Sequence, residues 1–191
     1  MAIQEKNQKK GQQEKYRTNL TAGAILLAIA ATVGLIIWRD AGPGIGTEVP
    51  VARADHVPDG EPVESPSDPP TSGSHYADPM PAGFYTKESP KYLADNHDGN
   101  LIHSLEHGYV VYWRNFDLLD EQGCQDLHAD IRSTLDEYNG LKMIAFPRPS
   151  ITAPLVMTSW GYMQEFETFD AGLAERFIEV DPDFALEPNA Q

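Results

Sequence analysis

Three patterns of polar and apolar residues follow one another along this chain, and each predicts a different kind of structure. Leu20–Trp38, "LTAGAILLAIAATVGLIIW", runs for 19 positions without a charge, close to the ~20 residues a helix needs to cross ~30 Å of hydrocarbon. Further on, Leu119, Cys124, Leu127, Ile131, Leu135 and Tyr138 recur at three-to-four spacing opposite acids and Arg132. That repeat predicts an amphipathic helix over about 118–138, stopped at Gly140. A second helix begins at Asp170 and carries Leu173, Phe177 and Ile178. The third pattern is short, β-branched and aromatic: "YVVYW" (109–113), "LKMIAFP" (141–147) and "LVMTSW" (155–160) read as strands. Asn100 and Gly108 bracket a short helix over 101–107, the first as its cap and the second in a left-handed conformation at its end. Strand–helix–strand–strand–helix in this order predicts an α+β fold, a small sandwich with helices covering a sheet.

Residues 40–70 fit none of these patterns. Seven prolines, several glycines and scattered acids leave no hydrophobic period, which predicts an extended linker with His56 solvated inside it. From Pro69 the loop "PPTSGSHYADPMPAGFY" adds Tyr76, Met80, Phe84 and Tyr85, aromatic and apolar groups that hold a turn-rich loop against a core. The expected organisation is a tail over 1–19, a transmembrane helix over 20–38, a Pro/Gly-rich linker over 39–68, a domain over 69–181 and a C-terminal tail over 182–191. Gly161 marks a bulge or a close approach of backbone.

Charge sets the orientation. Of 14 basic residues, five (Lys6, Lys9, Lys10, Lys15 and Arg17) precede the span, against two of the 29 acids. Basic residues beside a span mark its cytoplasmic side, so the domain is expected outside the cytoplasm, single-pass, in the cell membrane. The apolar run is longer than the core of a cleaved signal peptide, and the nearest A-x-A (Ala52–Ala54) lies well past it, so an uncleaved signal anchor is expected. A net charge of −15 excludes nucleic acid as a partner and disfavours anionic lipid surfaces. Cys124 is the only cysteine; an intrachain disulfide is excluded, and its place on the amphipathic helix makes it a small core residue.

The chemistry concentrates in "LIHSLEHGYVVYW" (101–113), where a chain with six histidines spends two within five positions. On a helix, His103 and His107 share a face and can grip one metal ion. Two histidines make a weak site, and His75 in "SGSHY" is the candidate third ligand, with Met80 a soft addition. His97 and His128 are better placed on the surface. Imidazole nitrogen suits copper or zinc, and Glu106 fits a supporting position, orienting a ligand histidine through its other nitrogen. H-S-L-E-H also matches the H-x-x-E-H pattern of inverted zinc proteases, in which the glutamate is the general base. A helix ending at Gly108 and a small domain speak against that activity, so an enzyme is the less favoured outcome. Two alternatives stay open beside the metal site. One is a metal-free interaction module, its histidines and glutamate hydrogen-bonded, docking a protein partner in a membrane complex; the other is a metallohydrolase using Glu106.

"PPTSGSHY", then "LIHSLEHGYVV", then a strand ending "TSWG" resemble a bacterial domain of unknown function, the family numbered 3105. The resemblance covers roughly residues 68–180. It rests on Pro69, Pro70, Gly73, His75, Tyr76, Gly83, His103, Leu105, Glu106, His107, Gly108, Trp160 and Gly161, and does not include Met80. It implies a single-span membrane protein with an extracytoplasmic domain, supports the histidine set, and brings no activity.

Overall fold

The computed structural model describes residues 45–93 and 97–190, which lie in one compact unit, Gly44–Gln191. The expected tail over 1–19 and span over Leu20–Trp38 lie outside the described residues. Among those described, no helix is long and apolar enough to cross a membrane.

The centre of the fold is β3, Val110–Arg114, buried at all five positions. Its alternate residues serve two cores: Val111 and Trp113 on one face of the sheet, Val110 and Tyr112 on the other. A strand covered on both faces has no polar side to show, hence the unbroken apolar run "VVYW". β4, Met143–Pro147, lies parallel to β3, and β5, Leu155–Ser159, lies antiparallel on its other side. Parallel neighbours need a crossover, which α3, Glu121–Glu137, supplies. The side chain of Asp120 caps α3, accepting from Gly123 N–H at 2.8 Å. Leu127, Ile131 and Leu135 are buried beneath it, each worth ~1.5–3 kcal/mol relative to exposure. α4, Ala171–Val180, is capped by Asp170 through Leu173 N–H and buries Ala174, Phe177 and Ile178 on the same face.

Three further strands complete a six-stranded mixed sheet in the order β1-β6-β5-β3-β4-β2. They are β1 (Thr47–Glu48), β2 (Gly83–Phe84) and β6 (Tyr162–Phe166). The sequence pattern shows none of them as strands. β1 and β2 have two residues each, and β6, "YMQEF", is half-buried at its first three positions and fully buried only at Phe166, so little hydrophobic alternation marks it. Gly161, at φ +76°, lies in the tight turn between β5 and β6, where Ser159 pairs with Tyr162. It is also a point of backbone approach: its N–H donates to the Thr71 carbonyl and its carbonyl accepts from Val49 N–H.

The opposite face of the sheet is covered by α2, Asp98–Glu106, and by the proline-rich segments before it, including the short α1, Pro90–Leu93. α2 begins two residues before the expected Asn100 cap, and His97 at its N-cap makes no side-chain capping bond. Its end is as the sequence implies. Gly108 sits at φ +78°, and the N–H groups of Gly108 and Tyr109 donate to the carbonyls of Leu105 and Ser104, the pairing by which a left-handed residue closes a helix. Met80 is fully buried in this second core, and Cys124 is half-buried with its thiol 3.3 Å from the Phe116 carbonyl.

Residues 45–68, expected as free linker, are extended but bound to the domain. β1 pairs with β6, Val57 N–H donates to the His75 carbonyl, and His75 N–H donates to the Asp55 carbonyl. Ser72 and Ser74 hydroxyls accept from Ala52 and Glu64 N–H groups. Arg148 bonds Asp68 and Asp98 together, joining this segment to the start of α2. Backbone pairing asks nothing of the side-chain pattern, so a proline-rich composition conceals it.

Candidate metal centre

α2 brings the helical half of the site. One turn apart, His103 and His107 meet through their Nε2 atoms at 3.0 Å, while Glu106 turns toward the loop that carries His75. Ser104, between them in sequence, fastens that loop to the helix: its hydroxyl donates to the Met80 carbonyl and accepts from Met80 N–H. In "SGSHY", Gly73 adopts φ +140°, and a Cβ there would fall 1.9 Å from the Glu64 carbonyl oxygen. Only glycine lets the 64–74 crossing form, and that crossing delivers His75 to the interior.

His75 is fully buried, and its Nε2 lies 3.1 Å from Glu106 Oε2. Its ring lies 5.0 Å from that of His103, centroid to centroid. The bridge between residues 56 and 75 adds a fourth imidazole: the exposed His56 ring stands 4.5 Å from His75 and 5.4 Å from His103. Among the described residues, two groups of three could hold an ion, His56–His75–His103 and His103–Glu106–His107, with ligand atoms within 4.8 Å of one another in each. The expected set of His75, His103 and His107 is thus gathered into one cluster but divided between two triads, with His103 common to both. Glu106 stands among the possible ligands as well as beside His75.

Hydrogen bonding fixes which ring nitrogens are available. His75 Nδ1 faces the Gly73 carbonyl at 3.1 Å and His103 Nδ1 faces the Tyr76 carbonyl at 2.6 Å. A carbonyl can only accept, so both Nδ1 atoms carry hydrogen and both Nε2 atoms of the neutral rings present lone pairs. Among the described residues, His75 Nε2 has no hydrogen-bond partner, and neither has His107 Nδ1. Burial pushes the His75 imidazole below its ordinary pKa, against the smaller opposing effects of the Gly73 carbonyl and the Glu106 charge. Burial, then nearby His103, does the same for His107. Burial thus favours the neutral form of His75 and His107, the form in which imidazole binds a metal ion.

The two histidines expected on the surface fall elsewhere. His128 is exposed on α3 against Phe84, as expected, whereas His97 is half-buried rather than on the surface, packing on Phe146 and stacking on Tyr92. Met80 belongs to the core rather than to the cluster's donor set. His56 is exposed, as sequence reasoning expects, but it is bridged to residue 75 rather than free in a linker, and its one sequence signal is weak: a histidine in a segment otherwise without aromatic side chains. A family model described as "Protein of unknown function (DUF3105)" matches residues 56–190, beginning at that histidine. No curated protein and no solved structure matches the chain.

Proposed function

The chain belongs to this family of proteins of unknown function, and on that premise we propose that it presents an extracytoplasmic domain, anchored by Leu20–Trp38, which binds one copper or zinc ion through its histidine cluster. The observation that carries the proposal is the buried Nε2 atom of His75. With its hydrogen on Nδ1, it is an acceptor lying 3.1 Å from a carboxylate oxygen and in no hydrogen bond with it. Two acceptors facing each other in a buried site repel, and a cation between or beside them removes the repulsion. The donor set of imidazoles and one carboxylate suits copper or zinc rather than magnesium or calcium, which take oxygen ligands. Sensing or carriage of the ion suits such a site better than hydrolysis: Glu106 is itself among the possible ligands, where a general base needs its oxygen free to reach a water.

One ion, not two, is expected. Both triads draw on His103, whose Nδ1 is committed to the Tyr76 carbonyl, so a single lone pair remains for them to share. Elemental analysis of the purified chain, incubated with each metal and desalted, should find close to one equivalent of copper or zinc. A chelator should lower the melting temperature, because an ion bound only to the folded state stabilises it. Anchoring has its own test, a reporter fused after Gln191 that should be active only outside the cytoplasm.

The same pair favours one other arrangement, a protonated His75 forming an ion pair with Glu106 in a metal-free interaction module. In that case the protein retains no metal and its melt ignores chelator.

A further inference from the structure

The buried end of β3 holds a charge that no ion pair among the described residues neutralises. Arg114 is 5 % exposed and points to the α3 face of the sheet, where its guanidinium lies over the rings of Phe84 and Phe116 at 4.5 and 4.6 Å. Nη2 donates to the Tyr85 carbonyl, and Nε is buried without a partner. A second guanidinium, Arg132 of α3, stands 4.1 Å over the same Phe84 ring. Among the described residues no ion pair involves either arginine. Lys87 nearby is paired with Asp117, and Glu88 is held by Thr86.

Arginine side chains are abundant in ion pairs when buried because withdrawing the charge from water is costly unless a counter-charge meets it. Contact with two phenyl faces offsets part of that cost, yet it leaves donors unused. The surroundings register the excess positive charge: burial and then Arg132, against the smaller opposing effect of Glu88, hold the Arg114 guanidinium down to about 10, and burial, Arg132 and Arg114 lower His128. This occurs in a protein with 29 acids to 14 bases, where a carboxylate partner would have been the commonest solution.

A pocket of about 260 Å³ opens on this spot, lined by Phe84, Phe116 and Pro147 with Arg114, His128, Lys87 and one carboxylate, Glu88, among its polar groups. It is smaller than the 300–1,000 Å³ usual for drug-sized ligands, so its occupant is small. We propose that this pocket is a binding site for a small carboxylate with an apolar body, its charge drawn to Arg114 and Arg132 and its body lying against Phe84, Phe116 and Pro147. The site is separate from the histidine cluster, on the other face of the sheet, and holds whether or not a metal binds there.

Benzoate is the probe, titrated calorimetrically into the purified full-length chain after chelator treatment, with benzamide and inorganic phosphate as comparisons. Benzoate should bind saturably at one equivalent. Neutral benzamide and phosphate, one lacking the charge and the other the apolar body, should each bind at least about tenfold more weakly. Arg132→Gln, at an exposed position, should fold normally and weaken benzoate binding by about tenfold, the size of one lost charge interaction. Arg114→Gln should abolish binding; if that variant does not fold, Arg132→Gln decides alone. Absence of saturable binding up to about 10 mM, equal affinity for benzamide or for phosphate, or an unchanged affinity in Arg132→Gln would overturn the assignment and leave Arg114 as a packing group held by its two phenyl rings.

Discussion

His75 Nε2 and Glu106 Oε2 lie 3.1 Å apart inside the protein and make no hydrogen bond, the ring's hydrogen being on Nδ1 toward the Gly73 carbonyl. The two belong to different segments, a loop and a helix, so the fold is spending stability to hold them there. That cost gives two opposite expectations for one substitution. Glu106→Gln replaces the acceptor with an amide that can donate to His75 Nε2, and the chelator-treated variant should melt at a higher temperature than the wild type. The same change removes a negative charge and a supporting carboxylate from the cluster, and metal affinity should fall by about 10–100-fold. Melting curves with chelator, and a competition titration for the metal, measure the two effects separately. A lower melting temperature in chelator would mean that His75 is protonated and paired with Glu106, and the metal proposal would then lose its main support.

Because His103 is common to both triads, substitutions in the cluster should not be equivalent. His103→Ala removes a ligand from each and should abolish binding of copper or zinc. His56→Ala leaves His103–Glu106–His107 intact, and His107→Ala leaves His56–His75–His103, so each should weaken binding while the protein still takes up one equivalent at high metal concentration. Elemental analysis at saturation distinguishes the two classes. Equal, complete loss in all three variants would instead require every histidine around one fixed ion.

The extended segment before residue 69 should matter to both stability and binding. A chain beginning at residue 69 loses β1, the Val57 and Ala52 hydrogen bonds, and His56. Compared with one beginning at residue 45, it should melt at a lower temperature and bind the metal more weakly. Indistinguishable melting and metal titrations would show that residues 45–68 behave as a free tether despite their backbone pairing.

That segment also shows where sequence pattern stops informing structure. Leu127, Ile131 and Leu135 announce α3 because a helix buries side chains at its own period, and Asp120 and Asp170 announce helix starts because a carboxylate satisfies free N–H groups. The central strands are evident because β3 is buried on both faces. β1, β2 and the 55–57 pairing leave no such trace, since two or three residues of backbone bonding require no particular side chain. His103, Glu106 and His107 could be found by helical spacing alone. His56 could not, because its neighbour in space is 19 positions away in sequence, across a segment whose prolines suggest solvent.

Asp181 ties the same segment to the domain from the other end, and it makes that tie sensitive to pH. Its carboxyl is fully buried, with Oδ1 accepting from Ile45 N–H at 2.7 Å and Oδ2 without a partner. Burial raises its pKa from 3.8 to about 7, against the smaller opposing effect of the Ile45 bond. Below the first value the folded and unfolded chains both hold the proton. Between the two values only the folded chain holds it, so this group's contribution falls steadily as pH rises; above about 7 neither holds it and the contribution is constant. Asp181→Asn keeps an oxygen for Ile45 N–H and cannot ionise. Its stability relative to the wild type should therefore improve with every step from pH 5 to about 7 and then level off. Urea midpoints for the two proteins at pH 5, 6, 7 and 8 give the comparison, in which the other carboxylates cancel. A difference that stays constant across that range would mean that Asp181 keeps an ordinary pKa in the folded protein, with water reaching its second oxygen.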